Sequence, residues 1–288
     1  MNNPNDLHAT WHGRLNIRWR ANMQMSMARL MRHLGRDRFR RDDFAITHLP
    51  LGVAGLDSAF YGYRIVHITD IHYGHWVTQE RLEGIVALIN EQKPDLVVNT
   101  GDFISYVLDE VAPEMVQALQ KIDAPDGSLA VMGNHDHWMG ANRVRPVLRE
   151  AGLTLLDNDV YPVRRGEAVL YVAGVDNVTV GADDLTAVLT KLPNDGPALI
   201  LAHEPDFADE AAATQRFFLQ LSGHSHGSQI ILPRIGPLLR GHHFKKYPAG
   251  RYQVGDMALY TSHGVGTHTF RLRINCPPEI VVVTLHPA

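Results

Sequence analysis

Cysteine is all but missing from this chain of 288 residues. Cys276 stands alone before Pro277-Pro278, so no internal disulfide can form, and a reducing compartment is the natural setting. Long apolar runs are missing as well. No stretch of about 18 apolar residues occurs, so no transmembrane helix is expected. The opening MNNPNDLHATWHGRLNIRWRANM lacks the apolar centre of a secretory signal. A basic excess is also lacking: the net charge is −4 with histidine neutral, so no nucleic-acid partner is expected. There is no internal repeat and no low-complexity tract. What remains is a chain that is 45% hydrophobic, enough for a full core, and that carries seventeen histidines.

Charge is unevenly distributed. Residues 14–41 hold nine arginines against one acid, Asp37, leaving −12 for the rest of the chain. Trp19, Met23, Met27, Leu30 and Leu34 recur at helical spacing, with Arg29, Arg32 and Arg36 off that stripe. Residues 1–45 therefore read as a basic amphipathic arm on an acidic body. Such an arm suits peripheral contact with an anionic membrane through residues 14–41, or packing on a partner or on its own domain. The expected location is cytoplasmic, peripheral to the inner face of the membrane.

From residue 46 to 288 the pattern is that of one catalytic domain. YRIVHITD (63–70), DLVVNTGD (95–102) and SLAVMGNHD (128–136) read as buried strands with polar ends. They are separated by a helix over TQERLEGIVALINEQ, N-capped by Thr78, and another near 113–121. A hairpin turning at Arg165-Gly166, a helix near 183–192, and the strands PALILAHEP, FFLQLSGHSH, ALYTSHGVG and EIVVVTL follow. The expected fold class is α/β with chemistry at the C-terminal ends of strands.

Five clusters end five of these strands: Asp70-Ile71-His72, Gly101-Asp102, Gly133-Asn134-His135-Asp136, Ala202-His203-Glu204 and Gly223-His224-Ser225-His226. One D-x-H means little by itself. All five in order, each after a strand, are hard to produce by accident. In an extended segment residues i and i+2 point the same way, so each triplet can aim two side chains at one region. Glycines beside Asp102, Asn134 and His224 permit tight turns. Mixed carboxylate and imidazole donors suit Mn²⁺, Zn²⁺ or Fe better than Ca²⁺.

The ordered set D-x-H, G-D, G-N-H-D, H, G-H-x-H resembles the calcineurin-like metallophosphoesterase superfamily over about residues 60–285. ITDIHYG (68–74), VNTGDF (98–103), GNHDHW (133–138), LAHEPD (201–206), the Tyr-Pro-x-Gly of 247–250 and the tail 264–285 are most similar to the bacterial YkuE/YaeI phosphodiesterase branch. Members of that branch commonly begin with a twin-arginine signal or a membrane segment, where this chain has the basic arm. The resemblance implies a sandwich of two mixed β-sheets flanked by helices. It implies two divalent ions, Mn²⁺ first, one held by Asp70, His72, Asp102 and His226, the other by Asp102, Asn134, His203 and His224. It also implies a hydroxide between the metals that attacks phosphorus. His135 would stabilise the transition state or protonate the leaving group. Asp136 would orient His135 by accepting its other ring proton, the alternative being a turn-capping acid. His75, His137, His242, His243, His263 and His268 are candidates for the pocket wall, with a surface or packing role at least an equal alternative for each; Trp138 is another, with core packing the commoner fate.

The function implied is a binuclear phosphodiesterase or pyrophosphatase acting on a lipid- or nucleotide-linked phosphate, for which a UDP-diacylglucosamine-type lipid is one candidate. A soluble nucleotide or phosphoprotein phosphatase is the second reading. A non-enzymatic scaffold is the third, against which stands the intact set of seven ligands and His135.

Overall fold

The computed structural model describes residues 38–238, 241–268 and 271–288, with Trp19, Asn22, Met23, Ser26, Leu30 and His33 of the arm. Those six are helical and exposed. Met27, Leu34 and the arginines Arg29, Arg32 and Arg36 of the expected amphipathic helix lie outside the described residues. Among the described residues, no helix is long and apolar enough to cross a membrane.

Two six-stranded mixed sheets face each other. The first runs β1 (Ala45–Val53), β14 (Glu279–Pro287), β2 (Arg64–Ile68), β3 (Leu96–Asn99), β4 (Ser128–Ala130) and β5 (Thr154–Leu155). The second runs β12 (Gly250–Val254), β13 (Met257–Thr261), β9 (Leu219–Ser222), β8 (Ala198–Leu201), β7 (Ala168–Gly174) and β6 (Asp159–Arg165). Strands β2 to β5 are mutually parallel, and so are β7, β8, β9 and β13. Strand β14 runs against β2, and β6 and β12 run against their neighbours. Side chains on a strand alternate between faces. On β2, Ile65 therefore enters the core between the sheets with Val98, Val131, Val172, Leu201 and Leu221, while Val66 and Ile68 pack outward.

The outward faces are covered by helices. Leu82, Ile85 and Ile89 of the helix Gln79–Glu91 and Met115 and Leu148 of two further helices cover the first sheet. Val188, Ala208 and Ala211 cover the second. This is the expected sandwich of two mixed sheets flanked by helices.

Two local expectations changed. Thr78 stands at the N-cap of Gln79–Glu91, but its side chain makes no capping hydrogen bond. Strand β1, unread in the sequence, pairs in parallel with β14 along nine residues; its AITHLPLGV breaks strict alternation with Pro50 and Gly52. Ahead of it, Arg81 reaches out of the first helix. Its Nη1 donates to Arg38 O at 2.9 Å and its guanidinium lies 3.7 Å from the Trp76 ring centroid. Residues 38–44 are thus tied to the body.

Candidate metal centre

Strands β2, β3, β4, β8 and β9 all release their chains at one edge of the sandwich, and the five clusters are the loops that follow. The loops hold each other. Asp70 N donates to Gly101 O, His72 N to Asp102 O, Gly223 N to His203 O and Val265 N to Thr69 O, at 2.9–3.0 Å.

The way the side chains are aimed differs from the expectation. Strands β2 and β9 stop at Ile68 and Ser222, so alternation along an extended segment cannot direct the ligands. Instead Asp70 (φ 54°), His72 (φ 46°), Asp102 (φ 56°), His224 (φ 66°) and His226 (φ 51°) are all left-handed. This conformation costs a non-glycine residue on the order of 1–2 kcal/mol. Each such residue reverses the chain sharply, and the reversals bring the side chains together. Glycine is required where two loops abut. Gly101 has φ 100°, and a Cβ there would lie 2.5 Å from Gly133 N. A Cβ on Gly133 would collide with Asp102 Oδ1.

Six of the seven expected ligands are brought together, four of them in one compact buried cluster. One donor atom each from Asp70, His72, Asp102 and His226 lies within 4.8 Å of the others. His226 Nε2 is 3.1 Å from His72 Nε2 and 3.2 Å from Asp70 Oδ1. Asp102 Oδ2 stands between two imidazoles, 3.4 Å from His72 Nε2 and 3.5 Å from His203 Nε2. On the far side of His203, His224 Nδ1 is 3.1 Å from His203 Nε2. Asn134 opens the short helix Asn134–Trp138 and is buried with its Oδ1 unpartnered.

The donor chemistry fits a divalent-ion site. Asp70 Oδ2 accepts from Thr69 Oγ1 and His224 N, which leaves Oδ1 buried without a hydrogen bond. Asp102 uses Oδ1 to accept from His135 N and turns Oδ2 inward. His203 Nδ1 donates to Thr100 O at 2.6 Å, and His72 Nδ1 pairs with Ser105 Oγ at 2.8 Å, so both present Nε2. His224 lies 3.2 Å from His242 O through Nε2 and so presents Nδ1. Such outer hydrogen bonds fix the tautomer of a ligating imidazole. Buried acceptors without donors are expensive unless a cation or water satisfies them.

Electrostatics follow from burial and proximity. Burial holds His72 and His226 well below the ordinary imidazole range and draws His224 down to about 4. Burial also pushes Asp70 up to about 7. Asp102 and His203 go the other way. Burial opposes charge on both, but their mutual attraction prevails, keeping Asp102 well below its ordinary value and His203 well above. His72, His224 and His226 are thereby held as neutral imidazoles and Asp102 as an ionised carboxylate, the forms that ligate metals.

His135 packs against the cluster, its ring 4.8 Å from those of both His72 and His268 and 4.7 Å from that of Trp138. Asp136 does not orient it. Its Oδ1 accepts from Phe103 N and Ile104 N and its Oδ2 from Gly133 N, while His135 Nδ1 has no hydrogen-bond partner. Asp136 is the third residue of a short helix, so its carboxylate is drawn to the free backbone N–H groups around the helix start. Of the candidate wall histidines, His268 joins the ring cluster, and His75 stands behind it, 3.3 Å from Thr267 Oγ1. His137 is turned away to Asp176 at 2.6 Å. The backbone of His263 is held by Glu279, and His242 and His243 offer backbone carbonyls.

Sequence reasoning missed the supports. Arg273, half-buried, donates to the carbonyls of Gly266, His263, Gly264, His226 and Cys276. Glu204 clamps the loop after β7, accepting from Asn177 Nδ2, Val178 N and Thr179 N.

Residues 63–228 match the model of the calcineurin-like phosphoesterase family. The chain is 34% identical to the metallophosphoesterase YkuE of Bacillus subtilis, covering 80% of this chain and 81% of that one. It is 30% identical to the phosphodiesterase YaeI of Escherichia coli, covering 77% and 82%. A solved structure, a dimetal phosphatase from Danio rerio, overlays with a TM-score of 0.48 at 12% identity, covering 71% of this chain and 88% of that one. With the matched segment spanning more than half of its length and carrying the ordered clusters, the chain belongs to the calcineurin-like phosphoesterase family and is a phosphoric ester hydrolase.

Proposed function

We propose that the chain is a two-metal phosphodiesterase whose catalytic domain is residues 46–288. One divalent ion would be held by Asp70, His72, Asp102 and His226, the second by Asp102, Asn134, His203 and His224. The observation that carries this reading is Asp102 Oδ2 lying 3.4 Å from one imidazole group and 3.5 Å from the other, the place a shared ligand must occupy. When bound, the ions supply positive charge for the phosphoryl oxygens and make water acidic enough to attack phosphorus. Mn²⁺ is the first choice for this donor set.

The chain's own residues then have distinct tasks. His135 is buried and its pKa is drawn down to about 4 by desolvation. It therefore meets the phosphoryl or leaving oxygen as a neutral imidazole offering one N–H. Asp136 is a positioning residue: by holding Phe103 N, Ile104 N and Gly133 N it fixes the loops that carry Asp102 and Asn134. Trp138 and His268 wall the mouth and limit water.

Diester chemistry is favoured over monoester chemistry because the relative YaeI is named a phosphodiesterase. The arginine-rich segment 14–41 favours a substrate presented at an anionic membrane, a lipid-linked phosphate of the UDP-diacylglucosamine type being one such ester. The test is hydrolysis of bis-4-nitrophenyl phosphate and 4-nitrophenyl phosphate with Mn²⁺, with chelator, and by Asn134→Ala and His135→Ala. Activity on the diester is expected to exceed that on the monoester, and to be lost with chelator and in both variants. Activity that survives chelation overturns the two-metal reading.

A further inference from the structure

Four rings pack against that of His135 among the described residues: those of His72, Trp138, His268 and Tyr106, with centroids 4.7–5.7 Å away. His72 is buried and belongs to the proposed first ligand set. Trp138 is 38% exposed, and His268 and Tyr106 are half-buried. These three give the ring cluster its solvent side. His268 also faces the ligands: its ring centroid lies 5.6 Å from that of His72 and 6.0 Å from that of His226. It therefore stands beside both His135 and two of the residues expected to hold the first ion.

The backbone that carries His268 is fastened at several points. The loop 264–268 lies along the loop 69–72, where Val265 N donates to Thr69 O at 3.0 Å and Gly266 N to Asp70 O at 2.9 Å. The approach is so close that a Cβ on Gly266 would lie 2.2 Å from Ile71 O. Gly266 O in turn accepts from Arg273 Nη2 at 2.6 Å.

The amide of His268 has a partner of its own. Gln229 is wholly buried and left-handed, with φ 50°. Its Oε1 accepts from His268 N at 2.6 Å, and its Nε2 donates to Leu272 O at 3.2 Å. Gln229 is itself held: Ile274 N donates to Gln229 O at 2.9 Å, and Ile231 N to Ile274 O at 3.0 Å. Ile231 opens the short antiparallel hairpin of β10 (Ile231–Leu232) and β11 (Gly236–Pro237). A left-handed backbone is costly for a residue with a side chain, and here it brings a buried amide to the backbone of His268.

An imidazole carries an N–H donor in either protonation state. A donor fixed beforehand beside charge that grows in a transition state needs no reorganisation during the reaction. Two imidazoles packed ring to ring can serve two oxygens of one phosphoryl group. We propose that His268 is a second catalytic imidazole, contacting a phosphoryl oxygen of the bound ester on the side of His72 and His226, while His135 serves the leaving oxygen. The inference rests on the two-metal reading of the site. It gives a task to a residue outside the five clusters and outside the family-matched segment 63–228.

The test uses the full chain with His268→Ala and His268→Gln. Turnover of bis-4-nitrophenyl phosphate reads the chemistry. Competition with a chelator reads Mn²⁺ affinity. Calorimetry with inorganic phosphate on the Mn²⁺-loaded chain reads the oxygen contact without turnover. His268→Ala is expected to lower kcat/KM by about a hundredfold and to weaken phosphate binding about tenfold, with Mn²⁺ affinity unchanged. His268→Gln keeps an N–H and is expected to recover part of both losses. A fall in Mn²⁺ affinity that parallels the loss of activity would make His268 a ligand or a prop and overturn the inference. So would wild-type turnover and phosphate binding in His268→Ala. Phosphate binding that depends on His268 in a chain that hydrolyses no ester would defeat the proposed function and leave the His268 contact standing.

Discussion

The two ends of the sandwich both concentrate charge, and they treat it in opposite ways. At the end where β2, β3, β4 and β7 begin, Arg165 Nη2 bonds Asp95 at 2.6 Å and Asp126 at 3.2 Å. Its guanidinium lies 4.6 Å from the Tyr63 ring centroid, and Tyr63 OH donates to Asp126. At the end where the strands finish, Asp70 Oδ1, Asn134 Oδ1 and His226 Nδ1 are buried with no hydrogen-bond partner, and five ligand candidates are left-handed. Charge that satisfies itself serves stability. Charge left open, on a backbone held in costly conformations, marks a place built for something the chain does not itself contain.

That contrast can be broken by experiment. The largest effect is expected at Asp102, the group common to both ligand sets. Asp102→Asn should lower kcat/KM on an activated diester by at least about a thousandfold. Metal removal comes next. Saturation at a hundred times Kd adds about 2.7 kcal/mol to stability, so a chelator should lower Tm by several degrees in wild type and have little effect in Asp102→Asn.

His67 gives the third effect. It is buried beneath the site, its Nε2 paired with Thr100 Oγ1, and burial draws its pKa down to about 3 despite the nearby Glu279. Below pH 6.5 the unfolded chain takes up a proton that folded His67 refuses. Stability on this account is intact above pH 6.5 and falls by about 1.4 kcal/mol per unit as pH drops towards 3. Urea midpoints at pH 7 and 5.5 should show a shallower decline in His67→Gln. The smallest effect is expected at the far end. Arg165→Met should cost about 1–2 kcal/mol in denaturant unfolding and leave kcat unchanged; a fall in kcat would mean that the two ends are coupled.

The site was largely legible because its ligands sit in short clusters directly after strands, and a strand's apolar run can be read locally. Most strands were legible through the same runs, and the family resemblance supplied their arrangement as a sandwich; β1 was missed because its partner β14 lies more than two hundred residues away and its proline and glycine hide its period. What could not be read was direction. A left-handed dihedral at Asp70 or His226 leaves no trace in hydrophobic period, so the extended-segment account of D-x-H and H-x-H was wrong in mechanism, although Asp70, His72, His224 and His226 do come together in the fold. Asp136 was misjudged for a related reason: one oxygen of this first-turn acid accepts from the helix's own N-cap, Gly133 N, and the other from the N–H groups of residues 103 and 104, thirty positions away in the loop after β3. Arg273 was invisible because its partners are backbone carbonyls, which every sequence has.

The left-handed ligands also carry an evolutionary consequence. Asp70, His72, Asp102, His224 and His226 each hold a conformation that glycine adopts without penalty, so at these positions selection for catalysis runs against selection for a tolerant fold. A descendant released from hydrolysis would find stabilising replacements at the very positions that define the activity, and drift there would be quick and hard to reverse. Glycine at several of these five sites in a related chain would therefore be a record of catalysis abandoned, readable before any assay is run.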